Sequence, residues 1–164
     1  MGKDALFNKV LQVAVVVKDL MRSVKIYNDE YGIGPWAIYE FNPETVKDMI
    51  INEKRVDYAM KLAVCDIDGV QWELIQPLDN KSIYAEFLEK HGEGLHHIAF
   101  GTPDYKKTLD TLKKRNKKIL QGGNWKGLTY TYLSTNDDLG VIAEIYNISK
   151  DFKWPEPEDR YPKE

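Results

Sequence analysis

The sequence predicts an α+β fold in which two βαβββ modules form one shared half-barrel cleft. The first observation behind this prediction is a repeat within the chain. A shift of 85 positions carries the apolar strand around Gln12 onto the apolar strand around His97. The same shift superposes Asp19 on Asp104, and each of these aspartates is placed to cap a following helix. The two halves of the chain are therefore expected to fold alike.

A second match supports the repeat and locates an insertion. A shift of 71 positions carries Glu73 onto Glu144, and each glutamate lies in an apolar strand that follows a Gly-Val pair. The smaller shift means that the first half carries about fourteen more residues between its two landmarks. We expect these extra residues at 42–54, where a proline interrupts a less regular stretch that predicts a loop or a short helix.

The elements of the first module follow from local patterns. An apolar, β-branched run at 10–17 predicts a strand, and helical spacing of apolar residues from Leu20 predicts a helix that Gly32 ends. A second strand is expected at 36–41. Strands at 58–64 and 70–75 form a hairpin turned by Asp68-Gly69, because this pair tolerates the positive φ angles of a tight turn. Residues 9–78 are assigned to this module.

The second module repeats the pattern after a linker at 79–93, which contains a predicted helix at 83–90. Strands are expected at 95–101 and 118–120, a helix at 103–116, and a closing hairpin of strands 129–133 and 141–147. This module is assigned residues 94–148. Residues 149–164 are assigned to a C-terminal arm, since charged residues and prolines dominate it and it cannot form a core by itself.

Composition narrows the class of protein. The chain has 43% hydrophobic residues, typical of a globular protein, and no apolar run of about 20 residues that would span a bilayer. Its net charge of −3 gives no general attraction for nucleic acid. The single Cys65 cannot form an internal disulfide and is interpreted as a packing residue. A cytoplasmic protein with no membrane or nucleic-acid partner is expected.

Four polar side chains stand at equivalent positions of the two modules, in strands that are otherwise apolar. If each module forms half of a barrel, Gln12, Glu73, His97 and Glu144 point into the same cavity. Two carboxylates are costly to bury together unless a cation lies between them. One amide oxygen, one imidazole and two carboxylates suit Zn, Ni, Co, Mn or Fe(II). The sequence therefore predicts a divalent metal site with these four ligands.

The paired modules resemble the vicinal-oxygen-chelate superfamily, also called the glyoxalase and bleomycin-resistance fold, over residues 10–147. Within it, the segments 73–78 and 92–100, the second reading Gly-Glu-Gly-Leu-His-His-Ile-Ala-Phe, are most similar to methylmalonyl-CoA epimerase. The resemblance implies that Gln12, Glu73, His97 and Glu144 hold the metal. His97 rather than His96 is the implied ligand, with His96 pointing to the opposite face.

The chain departs from the epimerase pattern in three places, one of which is the insertion at 42–54, longer than the compact loop of the family. Epimerases of this family have His where this chain has Gln12, whereas some glyoxalase I enzymes use the set Gln-Glu-His-Glu. A second catalytic Glu of the bacterial epimerases aligns with Ala59 here. Lys61 or Glu73 is considered as its replacement, and Trp36, Tyr39, Trp72 and Tyr130 are considered as residues that line a substrate cleft.

The expected activity is a metal-dependent epimerase or isomerase that abstracts a proton next to a metal-bound carbonyl. Glu144 is the first choice for the catalytic base, and Glu73 is the second catalytic candidate. A glyoxalase I-like lyase and a non-catalytic resistance protein that binds small molecules are the alternatives. The substrate is expected to be an acyl-CoA thioester or a 2-oxoaldehyde adduct, and the assembly a homodimer.

Overall fold

The structure, a computed structural model, describes residue 2 and residues 4–163. It contains both helices and strands in the order that the repeat predicts, with additional strands in the insertion and in the C-terminal arm. The elements are β1 (Lys9–Val16), α1 (Leu20–Tyr31), β2 (Trp36–Phe41), β3 (Lys47–Ile51), β4 (Lys54–Arg55), β5 (Met60–Ile67), β6 (Val70–Pro77), α2 (Ile83–His91), β7 (Gly94–Gly101), α3 (Tyr105–Lys114), β8 (Ile119–Trp125), β9 (Leu128–Leu133), α4 (Asn136–Leu139), β10 (Ile142–Ile148) and β11 (Asp159–Tyr161).

Within the described residues, one curled sheet of eleven strands has the order β11-β2-β5-β6-β1-β7-β10-β9-β8-β3-β4. Strands β1 and β7 pair antiparallel at its centre, and each has a parallel neighbour, β6 beside β1 and β10 beside β7. The predicted α+β fold with a half-barrel is confirmed. No helix in the described part of the chain is long and apolar enough to cross a membrane.

The helices begin where the repeated aspartates predict. Asp19 accepts a hydrogen bond from the backbone N–H of Arg22 (3.0 Å), and Asp104 accepts one from Lys107 (2.9 Å). Gly32 ends α1 with φ = 67°, a left-handed conformation in which glycine carries no steric penalty. The two helices pack on the outer face of the sheet, each over its own small core that contains Leu20 or Leu112.

The largest core lies inside the curl of the sheet. It includes Ala14 and Val16 of β1, and α2 closes one end of the barrel by burying Tyr84 completely. Cys65 belongs to the core under α1, where burial raises the pKa of its thiol to about 11. This environment agrees with its interpretation as a packing residue.

The insertion forms strands rather than the predicted loop or short helix, and it crosses the mouth of the half-barrel. Strand β2 pairs with β5 on one side of the mouth, whereas β3 pairs with β8 on the other side. Residues 42–46 span the gap between them. Gly123 of β8 permits this close approach, because a Cβ atom there would lie 2.8 Å from Val46 Cγ1. The pairing also extends β8 to residues 119–125, beyond the predicted 118–120.

Packing of the insertion should contribute strongly to stability. Met49 of β3 is 0% exposed in the main core. We expect Met49→Ala to lower the free energy of unfolding by about 2–5 kcal/mol, since it removes a buried side chain and leaves a cavity. Urea denaturation would measure the change, with Lys47→Ala on the same strand as an exposed control within about 0.5 kcal/mol of wild type. Equal stability of the two variants would contradict this packing.

The C-terminal arm also joins the sheet. Strand β11 pairs antiparallel with β2, and Tyr39 Oη donates a hydrogen bond to the carbonyl oxygen of Pro155 (3.0 Å). Trp154 lies against Trp125, with ring centroids 5.5 Å apart. The arm therefore covers the mouth of the half-barrel beside the insertion.

Candidate metal centre

Each of the four central strands contributes one polar side chain to the inside of the barrel. Glu73 comes from β6, Gln12 from β1, His97 from β7 and Glu144 from β10. The register of β1 with β7 is reciprocal, since Gln12 pairs with Ala99 and Ala14 pairs with His97. This local twofold arrangement places side chains from sequence-distant strands at one point.

The donor atoms of these four side chains converge. His97 Nε2 lies 3.0 Å from Glu144 Oε2 and 3.5 Å from Glu73 Oε2. The inward atom of the Gln12 amide lies 3.2 Å from His97 Nε2 and 3.2 Å from each of the two carboxylate oxygens. All four side chains are buried, and His97 is 0% exposed. The structure thus brings together the four residues predicted as ligands, and their binding of a metal stays a prediction.

The amide of Gln12 has two possible orientations. With Oε1 facing inward, Nε2 donates a hydrogen bond to Gln71 Oε1 at 2.6 Å. Turning the amide brings its nitrogen within 3.2 Å of Glu73 and Glu144, where it donates to the carboxylates. The inward oxygen accepts a hydrogen bond from His97 Nε2–H at 3.2 Å when that ring is protonated, and a cation among the carboxylates would favour the same orientation. The amide can therefore serve the cluster both with and without an ion.

The charges in the cluster are strongly coupled. Burial by itself lowers the pKa of His97, but the carboxylates of Glu144 and Glu73 outweigh burial and raise this pKa to about 9. Burial raises the pKa of Glu73, and the neighbouring His97 reduces that shift. No lysine or arginine is among the described residues that line the adjacent cavity. The two carboxylates are thus balanced locally by a single imidazole.

The donor set, one imidazole nitrogen with amide and carboxylate oxygens, is of a type that divalent cations accept. In the described part of the chain, no three side chains of His, Cys, Asp or Glu are arranged to hold a metal ion by themselves. His97 instead contacts Glu144 directly. The amide of Gln12 supplies the fourth donor. Atoms 3.0–3.5 Å apart are close to the edges of roughly 3.3 Å expected for a tetrahedron with 2.0–2.1 Å bonds. A cation would displace the proton on His97 Nε2.

A cavity of about 40 Å³ adjoins the cluster. Its polar lining includes Tyr130, Tyr132 and Tyr146, and burial raises the pKa of each phenol well above its usual value. These tyrosines are therefore neutral hydrogen-bond donors at physiological pH. Tyr146 Oη donates to Glu144 Oε2 at 3.2 Å, which orients that carboxylate toward the cavity.

The structure separates the other sequence candidates. Tyr130 lines the cavity, and Tyr39 packs at its mouth against Trp125, whereas Trp36 and Trp72 belong to the core under α1. Lys61 is exposed, so it does not replace the second acid of the epimerases. The residues of β5 that line the cavity are apolar: Met60, Leu62 and Val64.

Tyr146, Tyr132 and Trp154 are among the cavity residues that the sequence interpretation missed. Tyr146 lies two positions after Glu144 on β10, so strand alternation already placed both on one face. Tyr132 pairs directly with Glu144 across β9 and β10. Trp154 of the arm had no local signal, because long-range contacts place it over the cavity.

His96 does not point away from His97 as strand alternation predicts. A bulge in β7 leaves His96 without a partner in β1, since Ala14 pairs with His97 and Val15 pairs with Leu95. As a result, His96 Nδ1 lies 2.9 Å from His97 Nδ1. His96 is buried behind His97, and it has no contact with the two glutamates in the cluster.

Relatives of known structure share this arrangement of modules. A methylmalonyl-CoA epimerase in complex with methylmalonyl-CoA and NH4+ is 26% identical, with a TM-score of 0.61 over 91% of this chain and 99% of that chain. The epimerase from Mycobacterium tuberculosis has a TM-score of 0.64 at 20% identity, and the match covers 91% of this chain and 93% of that chain. The second likeness shows the fold alone.

Sequence comparison gives the same family. The ethylmalonyl-CoA/methylmalonyl-CoA epimerase of Cereibacter sphaeroides is 24% identical over 87% of this chain and 100% of its own length. The uncharacterized protein YqjC of Bacillus subtilis is 27% identical, over 84% and 91% of the two chains. The family model for the glyoxalase/bleomycin resistance protein/dioxygenase superfamily matches residues 11–131. The chain therefore belongs to the glyoxalase/bleomycin resistance protein/dioxygenase superfamily.

Proposed function

We propose that this protein is a metal-dependent epimerase or isomerase that moves a proton next to a carbonyl group, with an acyl-CoA thioester such as methylmalonyl-CoA as substrate. The observation that carries the proposal is the convergence of Gln12, Glu73, His97 and Glu144 beside a small cavity. The epimerase relatives support the reaction class. Zn, Ni, Co and Mn are the candidate ions, since the donor set is of mixed nitrogen and oxygen type.

A divalent ion held there would supply a Lewis acid that stabilises negative charge on a carbonyl oxygen. The chain itself supplies the proton carriers. Glu144 Oε2 faces the cavity, is oriented by the Tyr146 phenol, and is placed to accept the proton from the carbon next to the carbonyl. Glu73 lies on the strand that flanks the opposite side of the Gln12–His97 pair. We assign it the return of a proton to the other face of the substrate.

Access to the cavity requires movement of its cover. A volume of about 40 Å³ holds one or two water molecules and excludes a thioester. Trp154 lines the cavity from the arm and is 55% exposed, so its side chain is partly free of packing. Displacement of this side chain is the shortest route by which an acyl group would reach Glu144.

A glyoxalase I-like reaction is the second candidate. It is favoured by the apolar lining that β5 presents, where Met60, Leu62 and Val64 offer no additional acid. Transfer of a proton between adjacent carbons of a hemithioacetal needs only one base, which Glu144 would provide. A binding protein without catalysis is the remaining alternative, and it requires neither the metal nor Glu144 as a base.

The test uses purified full-length protein loaded separately with each candidate ion. Incubation with methylmalonyl-CoA in deuterated buffer should incorporate deuterium at the carbon next to the thioester carbonyl, and mass spectrometry would detect it. Conversion of the methylglyoxal–glutathione hemithioacetal would instead support the glyoxalase reaction. If neither substrate reacts with any of these ions, both catalytic assignments are wrong and binding remains. Light scattering would test the expected homodimer.

A further inference from the structure

A second, larger cleft lies at the end of the barrel, where α2 faces β7, β8 and the beginning of β10. We call it the end cleft. Its volume is about 480 Å³, within the range of small-molecule sites. It shares no lining residue with the cavity beside Glu144 among the described residues. The lining that matters here consists of an apolar wall, a buried histidine and a basic rim.

His96 lies at the base of the end cleft and is 2% exposed. Its ring packs against His97, and the contacts of His97 decide which nitrogen of His96 carries a proton. His97 Nε2 faces the two glutamates. The other ring nitrogen of His97, Nδ1, carries a proton and lies 2.9 Å from His96 Nδ1. His96 Nδ1 must accept this hydrogen bond, which leaves its own proton on Nε2.

The Nε2–H group of His96 lacks a partner. Its nitrogen is fully buried and makes no hydrogen bond among the described residues, and the nearby backbone of Ile83 raises the pKa of His96 without completing one. A buried donor left without an acceptor costs roughly 1–3 kcal/mol. An acceptor that enters the end cleft and reaches this nitrogen would remove that cost. The unpartnered donor therefore indicates a hydrogen-bond acceptor as the occupant.

The rim of the end cleft adds positive charge. Lys81 and Lys90 line it together with His91, and Glu86 is paired with Lys90. Two lysines against one carboxylate leave a positive surplus, which favours an anionic acceptor over a neutral one.

The wall of the end cleft is apolar. Phe87 of α2, Leu95 of β7 and Leu120 of β8 form part of it, and Leu95 is 51% exposed. An exposed leucine beside a cavity of this size gains free energy when an apolar group covers it. The occupant is therefore expected to carry a hydrocarbon portion beside its charged group.

We propose that the end cleft binds a small amphiphilic anion, whose carboxylate or phosphate accepts from His96 Nε2–H near Lys81 and whose hydrocarbon part covers Leu95 and Phe87. The end cleft shares no lining residue with the cavity beside Glu144, and its occupation does not depend on the proposed activity, although His96 contacts His97 of the cluster.

Titration of the full-length protein with acetate, butanoate and hexanoate tests the proposal, with NMR signals of ¹⁵N-labelled histidine as the readout. Hexanoate is expected to bind saturably and to shift the His96 Nε2–H signal. Affinity should rise roughly fourfold for each added methylene that is buried. Hexanamide, which is neutral, should bind more weakly. Absence of a saturable shift, or equal binding of hexanamide and hexanoate, would overturn the proposal.

Two variants locate the site. Lys81→Glu should weaken hexanoate binding by roughly fivefold or more, because a favourable ion pair becomes a repulsion. Lys106→Glu on α3 is the matched control and should bind as wild type does. Leu95→Trp changes an exposed side chain and should block binding by filling the end cleft. Equal binding by the Lys81 and Lys106 variants would place the ligand elsewhere.

Inorganic phosphate distinguishes the two possible head groups. Competition by phosphate that is much weaker than hexanoate binding would support a phosphorylated or a carboxylated head group at the same position. Hexanoate binding without competition by phosphate would identify a carboxylate. Phosphate binding as tight as that of hexanoate would contradict the requirement for an apolar part.

Discussion

Replacement of His97 by Ala is expected to abolish stoichiometric metal binding, with a loss of affinity greater than about 100-fold. His97 Nε2 is the nitrogen donor of the cluster and contacts both carboxylates and the Gln12 amide. Its removal leaves oxygen donors alone, a set less suited to zinc or nickel. Competition with a chromophoric chelator would measure the affinity, and elemental analysis would measure the bound metal.

Two controls accompany this variant. Gln121 is also 0% exposed but lies outside the cluster, so Gln121→Ala should keep the metal and report the general effect of a buried polar truncation. His96→Ala should lose affinity by about 10- to 100-fold, because His96 holds the ring of His97 through the Nδ1–Nδ1 hydrogen bond. Equal metal loss in the His96 and His97 variants would show that the ligand nitrogen is wrongly assigned. Circular dichroism would confirm that each variant is folded.

The central part of the fold was predictable because its signals are local and repeated. Asp19 and Asp104 cap α1 and α3 through their own side chains, so the helix starts depend on nearby residues. The convergence of Gln12 with His97 followed from equivalent positions in two like modules, since a local twofold relation brings such positions together. Repetition within the chain supplied the long-range information that a single strand lacks.

The closure of the barrel was not predictable in the same way. Strand β3 pairs with β8, about 70 residues later in the chain. The first half of the chain contains no second copy of this pairing, so the internal repeat could not reveal it. The same holds for Tyr39 and Pro155, which are 116 residues apart. His96 was misplaced for a different reason: strand alternation assumes a regular ladder, and the bulge breaks it at this residue.

Replacement of Glu144 by Gln is expected to keep much of the bound metal and to lower proton exchange by roughly 10²–10⁴-fold, the loss typical of a missing general base. The amide oxygen can still bind a cation, whereas the amide cannot accept a proton at neutral pH. Deuterium incorporation into substrate, measured at saturating metal, would give the rate. Metal content measured on the same samples would separate a catalytic loss from a binding loss.

Tyr146→Phe separates the carboxylate of Glu144 from the group that orients it. The phenol donates to Glu144 Oε2 at 3.2 Å, so its removal should lower kcat by less than Glu144→Gln does and leave metal content unchanged. Glu73→Gln tests the return of the proton: epimerisation would fall while exchange on one face of the substrate continues. Exchange retained in Glu144→Gln would move the base to Glu73 or to water. Because the variants differ in which face loses exchange, they would distinguish a one-base reaction of the glyoxalase type from a two-base epimerisation.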